Sequence, residues 1–285
     1  MGVICTVSEL QHLYLTYPDF SYDRLQNITT RMCSPNIYIH SHEEYEVFIN
    51  IGDPVYYVTG NHMTELPCGG AILVPPGIEH YAFNEYNDLY HRVRLHISPY
   101  MIECLYHFQP TLKNYFTFPC CFTVLRNTFM GNIYAVEKAA EQIVDESILS
   151  VAIPVFSLLL QIDQSMAENG KQTKDSIKIP PLLCDILKYM NVEENFLSIN
   201  SNREIAQKFF ITESYLSRLF QKYMPMTAHQ YLLTLKMNYA KRRLQEGFSV
   251  TEVCFAVGFS DCSHFIKTYR QFIGETPGKT TVNLP

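Results

Sequence analysis

The chain has 285 residues, of which 47% are hydrophobic and 18% are charged, and its formal net charge is −6. This length favours two domains over one, and the composition is that of a globular protein rather than a disordered or fibrous one. No run approaches the roughly 20 apolar residues that span a bilayer. Nine cysteines without C-x-x-C spacing are typical of reduced thiols, so we expect a cytoplasmic protein with no membrane partner.

Residues 27–97 predict a set of short strands. Four runs are rich in Val, Ile, Tyr and Phe, and Gly- and Pro-containing turn signals separate them: Tyr45–Ile51, Val55–Thr59, Ala71–Val74 and Val93–Ile97. Short strands at such regular intervals favour a sandwich or a small barrel.

Two motifs in this region place histidines at regular spacing. The first is H-x-H-x-x-x-E, through His40, His42 and Glu46, and the second is G-x5-P-x-G-x2-H-x3-N, which runs from Gly69 through His80 to Asn84. Positions 40, 42 and 46 share one face of an extended strand. Three imidazoles and one carboxylate suit Fe, Mn, Ni or Zn. The alternative is that these side chains are hydrogen-bonded residues at the mouth of a ligand pocket.

Helical periodicity begins after the strands. Residues 132–149 and 152–166 have apolar residues at helical spacing, and the second segment has a stripe at Val155, Leu158, Leu159, Ile162 and Met166. This stripe packs either on its own domain or on a second copy of the chain. A polar stretch without periodicity follows, and it predicts a linker over 168–180.

The residues from Pro181 onward predict a series of helices. They are mildly basic, with 12 Lys and Arg against 9 Asp and Glu. Ser201 or Asn202 can cap a helix that ends near Phe209, and Thr212 can cap a second helix through Lys222. In the second helix Tyr215, Leu216, Leu219 and Phe220 are predicted to be buried, while Ser214, Ser217, Arg218 and Gln221 face outward. A short helix, a tight turn and a helix with polar outward residues are typical of major-groove reading.

The pattern repeats about fifty residues later. Ser249 caps a helix that ends at Gly258, Phe259 is predicted to be buried, and Ser260 or Asp261 caps a helix over 262–270. Between the two units, residues 227–245 predict one helix of roughly 28 Å, close to the ~34 Å turn of duplex DNA. Two reading helices held that far apart can enter successive major grooves.

Three motifs occur in order in the C-terminal residues: Tyr215–Phe220, Val257–Asp261 followed by Ser263-His264-Phe265, and Gly274-Glu275-Thr276-Pro277. With these motifs, residues 199–279 resemble the DNA-binding domain of the AraC/XylS family. This resemblance implies base contacts by the residues that we call the reading residues: Ser214, Ser217, Arg218 and Gln221 in the first unit, and Ser263, His264 and Lys267 in the second.

The strand region resembles the cupin barrel over 36–97, on the two histidine motifs. Sensor domains attached to the AraC/XylS family resemble cupins and commonly keep such motifs without a metal. The resemblance therefore implies an effector pocket lined by His40, His42, Glu46 and His80, with no metal and no cofactor. Tyrosines in this region suit a carbohydrate effector: Tyr38, Tyr45, Tyr56 and Tyr57.

Together these observations predict an α+β protein of several domains. A cupin-like β-barrel with a helical dimerisation segment occupies 1–167, a linker 168–180, and an all-α domain with two helix-turn-helix units 181–285. We expect a transcription regulator rather than an enzyme, with double-stranded DNA, RNA polymerase, a small-molecule effector and a second copy of the chain as partners. The alternatives are a metal-dependent cupin enzyme tethered to DNA and a ligand-independent regulator whose barrel serves only to dimerise.

Overall fold

A computed structural model describes residues 11–16, 20–26, 39–84, 91–117, 120–125, 128–141, 148–169 and 177–282. Within these ranges the chain divides into two compact units. The first comprises the described residues up to 26, His40–His80 and 91–Ile177, and the second comprises Ile39, Tyr81–Asn84 and Lys178 onward. The predicted boundaries at 167 and 180 stay a prediction, and residues 170–176 of the predicted linker lie outside the described residues.

The first unit carries most of the strands, together with three helices and a 3₁₀ turn over Pro110–Tyr115. The strands of the chain are β1 Gln11–Thr16, β2 Phe20–Gln26, β3 Tyr45–Asn50, β4 Val55–Thr59, β5 His62–Leu66, β6 Gly70–Val74, β7 His80–Asn84, β8 His91–Ile97, β9 Cys121–Val124 and β10 Ile177–Lys178. The three helices are α1 Pro99–Phe108, α2 Phe129–Glu141 and α3 Ile148–Asn169. The four predicted strands and both predicted helices are present, although residues 142–147 of the first predicted helix lie outside the described residues. Strands β1, β2, β5, β7, β9 and β10 and helix α1 were not predicted.

The main sheet of the first unit has six strands in the order β1-β2-β8-β3-β6-β9. Neighbouring strands are antiparallel throughout, and β3 lies centrally between β8 and β6. Strands β4 and β5 form a hairpin of a second sheet, closed by Gly60 and Asn61, where Gly60 has a φ of 56°. A two-residue turn of this kind needs a positive φ, which glycine adopts without strain.

The core of the first unit lies between one face of the main sheet and the helices. Val47 and Leu95 on the sheet and Val155, Leu158 and Ile162 on α3 are all fully buried in one apolar cluster. The apolar stripe of α3 therefore packs on its own domain, and it is not a free dimer face. Because side chains alternate along a strand, Glu46 lies on the opposite face of β3 from Val47.

The second unit is helical. Its helices are α4 Pro181–Asn191, α5 Glu193–Ser198, α6 Asn202–Lys208, α7 Glu213–Tyr223, α8 Ala228–Gln245, α9 Val250–Ala256, α10 Cys262–Ile273 and α11 Pro277–Val282. Helix α8 packs against α5, α7, α9, α10 and α11, so it is the centre of this unit. No helix in the part of the chain that the structure describes is both long enough and apolar enough to cross a bilayer.

Candidate nucleic-acid interface and histidine cluster

The first helix-turn-helix unit consists of α6 and α7. Ser201 caps α6 by accepting the Glu204 N–H, and Thr212 caps α7 by accepting the Tyr215 N–H at 3.1 Å. These side chains satisfy backbone donors that a helix leaves unpaired at its start, which fixes where each helix begins. Both caps agree with the sequence prediction.

Helix α7 turns its polar face to solvent. Leu216, Leu219 and Phe220 are buried, whereas the four reading residues of this helix are exposed: Ser214, Ser217, Arg218 and Gln221. The prediction that Tyr215 is buried was wrong, since this residue is 41% exposed. Its ring lies beside the Arg218 guanidinium, 5.9 Å from the ring centre, because residues three apart are neighbours on a helix.

The second unit repeats this arrangement with α9 and α10. Ser249 and Glu252 form a reciprocal capping box on α9, and Asp261 caps α10 by accepting the N–H groups of Ser263 at 2.9 Å and His264 at 3.2 Å. Ser263, His264 and Lys267 are exposed, as predicted. Phe259 was predicted to be buried but is only half-buried, and its ring lies 5.3 Å from that of His264.

Helix α8 connects the two units. It has 18 residues and begins at a capping box formed by Thr227 and Gln230. All five predicted inner positions are buried: Tyr231, Leu232, Leu235, Tyr239 and Leu244. At ~1.5 Å per residue this helix is about 27 Å long, which agrees with the predicted length.

In the compact unit that carries the main sheet, the carboxylate of Glu46 is the centre of a histidine cluster. Glu46 is 1% exposed, and its Oε2 lies 2.9 Å from His96 Nε2, 3.2 Å from His42 Nε2 and 3.4 Å from His80 Nε2. The hydroxyl of Tyr57 donates to Oε1 at 2.6 Å. Strand pairing assembles the cluster, since His96 faces Glu46 across β8 and β3, and His40 forms an isolated antiparallel bridge with His80.

These contacts make Glu46 a carboxylate. Burial would raise the pKa of Glu46, but the imidazoles of His42, His80 and His96 hold it well below its ordinary value. Burial works to lower the pKa of His42, yet the hydrogen bond to Glu46 and its negative charge raise that pKa above its ordinary value. The pKa of Tyr57 is raised well above its ordinary value by burial and by the adjacent Glu46 charge, so its hydroxyl stays a donor.

The donor set fits a divalent transition metal. One ligand atom from each of His40, His42, Glu46 and His80 lies within 4.8 Å of all the others. His80 Nδ1 is 2.7 Å from the Ile78 carbonyl and His42 Nδ1 is 2.9 Å from the Glu44 carbonyl, so each Nδ1 donates and each Nε2 points into the cluster. This is the tautomer that a metal-binding histidine needs. His80 Nε2 is buried and has no hydrogen-bond partner of good geometry.

The four predicted pocket residues therefore meet in space, and His96 and Tyr57 join them. Neither addition was predicted as a site residue, although Tyr57 was named as a tyrosine that suits a carbohydrate. Of the other three tyrosines, Tyr45 packs edge-on against Phe116 in the core, and Tyr38 lies outside the described residues. The side chain of Asn84, which ends the second motif, lies outside the described part as well.

Tyr56 has a different role, because it lines a cleft of about 380 Å³ that the histidines do not reach. The other lining residues include Met63 and Glu65 on β5 and Phe122 and Val124 on β9. The cleft combines aromatic and apolar surface with one carboxylate.

Comparison with known proteins identifies the helical unit. Residues 205–282 match the sequence family described as "Helix-turn-helix domain". A solved AraC-type DNA-binding domain protein from Chromobacterium violaceum is 31% identical, and the match covers 36% of this chain and 90% of that one, with a TM-score of 0.33. Residues 205–282 are an AraC-type helix-turn-helix domain.

Curated relatives share mainly this AraC-type domain. The transcriptional regulator ArgR of Pseudomonas aeruginosa is 34% identical over 93 residues, which are 32% of this chain and 27% of ArgR. The transcriptional activator RhaS of Pectobacterium carotovorum is 24% identical over 51% of this chain and 50% of RhaS. The alignments thus span about a quarter to a half of these AraC-family relatives. What this chain shares with these regulators is the helix-turn-helix domain of its C-terminal part.

Proposed function

We propose that the chain reads two DNA half-sites in sequence-specific fashion and responds to a small-molecule effector. The observation that supports this proposal is the exposure of all seven reading residues on two capped helices that a single buried helix joins. With α8 about 27 Å long, the two reading helices suit successive major grooves on one face of a duplex, about 34 Å apart.

The proposal includes a homodimer that acts with RNA polymerase in the cytoplasm. Ile153 and Leu160 are 64% and 47% exposed, and they lie seven residues apart on one face of α3. Exposed apolar residues at this spacing suit a helix–helix contact between two copies. Activation is the favoured outcome, because the relative RhaS is named a transcriptional activator.

In-vitro selection from random-sequence DNA duplexes tests the DNA-binding part. We expect the full chain to enrich one motif, and the double variant Arg218→Ala, Lys267→Ala to lose that enrichment. The control is Lys188→Ala, which removes an exposed charge from α4, outside both helix-turn-helix units. Failure of the wild-type chain to enrich any motif contradicts sequence-specific reading.

For the effector we propose a small polar molecule of the carbohydrate class, bound in the Tyr56 cleft. Its volume of about 380 Å³ lies within the range of about 300–1,000 Å³ that small-molecule sites occupy. The Tyr56 ring can stack on the apolar face of a sugar, and the Glu65 carboxylate can accept hydrogen bonds from its hydroxyls.

A thermal-shift screen of mono- and disaccharides tests this site, because a ligand of the native state raises its melting temperature. The shift produced by a binding sugar should disappear in Tyr56→Ala and in Glu65→Gln. His107→Ala, on the exposed end of α1, serves as the control and should keep the shift. A full shift in both cleft variants would place the ligand elsewhere.

A second candidate effector is a divalent transition metal at the histidine cluster, favoured by the convergence of four ligand atoms within 4.8 Å. His40, His42, His80 and Glu46 would hold it, and His96 and Tyr57 would orient the Glu46 carboxylate. Such a metal would act as a charged ligand that orders the site, which is a binding role and not a catalytic one.

Metal analysis of the purified chain distinguishes the two candidates. If the metal is the effector, chelator-treated protein should take up one equivalent of Zn²⁺, Mn²⁺, Ni²⁺ or Fe²⁺ with a rise in melting temperature. His40→Ala should abolish uptake, and His107→Ala should preserve it. Protein that takes up none of these four ions, with no thermal shift, rules out the metal as effector.

A further inference from the structure

Helix α8 contains a buried lysine near its middle. Lys236 is 5% exposed, and its ammonium Nζ donates to the carbonyl oxygen of Ile199 at 2.8 Å. Burial lowers the pKa of Lys236, while the negative charge of Glu204 opposes that effect. A buried ammonium is unfavourable unless oxygens surround it, so the few oxygens present determine where this side chain can lie.

The turn of the second reading unit closes the other side of this lysine. A Cβ atom placed on Gly258 would lie 3.2 Å from Lys236 Nζ and 3.3 Å from Asn200 Oδ1. Gly258 also has a φ of 85°, which side-chain-bearing residues rarely adopt. The turn between α9 and α10 can approach Lys236 and Asn200 this closely because residue 258 has no side chain.

Gly258 belongs to the second reading unit, whereas Ile199 and Asn200 lead directly into α6 of the first. Ile199 ends α5 and Asn200 precedes α6, to which it is tied by its N–H donating to Glu204 Oε2 at 3.0 Å. Gly258 lies between the two helices of the second unit. Lys236, Ile199, Asn200 and Gly258 therefore form a contact between the units in addition to α8 itself; we name it the Lys236 junction.

We propose that Lys236 is a positioning residue, which sets the orientation of the second reading unit relative to the first and thereby the preferred spacing of two DNA half-sites. This inference rests on the proposed reading of two half-sites. Helix α8 fixes the distance between the two reading units. Their rotation about the axis of α8 depends on the side chains through which each unit contacts this helix and the other unit. The Lys236 junction is a direct contact that opposes such rotation.

Lysine suits this position for a specific reason. Its ammonium has three donors on a flexible stem, so it can bond the carbonyl at the C-terminal end of α5 and still lie against the turn at Gly258. The negative end of a helix also favours a cation. Methionine has a similar length but no donor, so Lys236→Met leaves the Ile199 carbonyl without this partner and releases the turn.

Selection from random duplexes, followed by probes in which the spacing of the two selected half-sites varies by single base pairs, tests the proposal. Wild-type protein should prefer one spacing. In Lys236→Met the affinity ratio between that spacing and its neighbours should fall by about tenfold, because contacting groups couple by amounts of this order. Lys188→Met removes an exposed charge from α4, in the same helical compact unit but away from the Lys236 junction, and should keep the wild-type affinity ratio.

A glycine pair keeps the proposal testable if Lys236→Met fails to fold. Gly258→Ala introduces a Cβ into the junction, whereas Gly247→Ala introduces one at a similar φ of 93° with no atom within 4 Å. Both alanines strain the backbone, but only Gly258→Ala should change the spacing preference. Unchanged spacing discrimination in folded Lys236→Met or, failing that, in Gly258→Ala overturns the proposal.

Two outcomes separate this inference from the proposed function. If wild-type protein enriches no paired motif, the reading of two half-sites fails. If it enriches a paired motif and the junction variants keep its spacing, only the role of Lys236 fails. Binding to a probe with a single half-site should be the same for wild type and Lys236→Met, since the reading residues are untouched.

Discussion

Phe210 and Gly258 occupy the same position in the turns of the two reading units, and both have a positive φ, 55° and 85°. The Phe210 N–H donates to Gln207 O at 3.2 Å and the Gly258 N–H to Phe255 O at 3.0 Å, so the turns have the same hydrogen bonding. Glycine adopts this left-handed conformation freely, whereas a residue with a Cβ is strained in it. Phe210 is 97% exposed, so its ring gains no packing in compensation.

Phe210→Gly is therefore expected to stabilise the helical unit. Relief of the left-handed strain should raise the free energy of unfolding by about 1 kcal/mol after the entropic cost of glycine is deducted. Urea denaturation of the full chain measures this difference. Phe210→Ala removes the ring but keeps the strain, and it should leave stability nearly unchanged. A loss of stability in Phe210→Gly would show that the ring makes a stabilising contact.

Asp261, the N-cap of α10, should make the stability of the helical unit depend on pH. The N–H groups of Ser263 and His264 bond its carboxylate, and these bonds together with the His264 charge lower its pKa in the folded chain. A lowered folded pKa stabilises the fold above the unfolded pKa of about 3.9, and this contribution is lost as the pH falls through the folded value. The melting temperature of wild type should exceed that of Asp261→Asn near neutral pH and approach it in acid.

Asparagine caps a helix almost as well as aspartate but carries no charge, so this comparison isolates the carboxylate. Asp185→Asn, on the exposed face of α4, is the matched control and should show no such convergence. A wild-type advantage over Asp261→Asn that stays constant into acid would contradict the charge-based explanation.

Strands could be predicted where the residues themselves have high strand propensity. They could not be predicted where pairing with a neighbouring strand determines the conformation. Val55–Thr59 is rich in β-branched and aromatic residues, and β4 was predicted with these bounds. His62–Leu66 has weak local strand propensity, but Gly60-Asn61 folds it back onto β4 as β5. Helix α1 was missed although Ser98 and Pro99, an N-cap followed by a helix-starting proline, could have indicated it.

The same distinction applies to the histidine cluster. The two motifs predicted that His40, His42, Glu46 and His80 meet, and they do. The prediction of one extended strand through positions 40, 42 and 46 was wrong, since residues 43 and 44 form a bend and β3 begins at Tyr45. His96 joins them only through the register in which it faces Glu46, which no local pattern on β8 specifies. In α7, helical period placed Tyr215 on the buried face with Leu216, Leu219 and Phe220, but its ring is 41% exposed and lies beside the Arg218 guanidinium.

Leu158→Ala should severely destabilise the compact unit that carries the main sheet. Leu158 is fully buried between α3 and the sheet, so the substitution leaves a cavity and should cost about 2–5 kcal/mol of unfolding free energy. Phe108→Ala, at the last residue of α1 and 85% exposed, removes a larger apolar side chain from a site open to solvent. Its effect, measured by urea denaturation of the same preparation, should be below about 1 kcal/mol. Equal losses in both variants would place the core elsewhere.

Arg218→Ala should change which DNA sequence is selected, not only how tightly DNA is bound. Arg218 is exposed in the middle of α7, between Ser214 and Gln221, where an arginine can bond two acceptors of a guanine edge. Loss of that contact should relax preference at one base pair by about 1–3 kcal/mol, measured by competition among single-base variants of the selected motif. Lys222→Ala, in the last turn of the same helix, is the control: as a phosphate contact it should weaken all sequences alike and reduce the salt dependence. An unchanged base preference in Arg218→Ala would mean that α7 enters the groove in a different orientation.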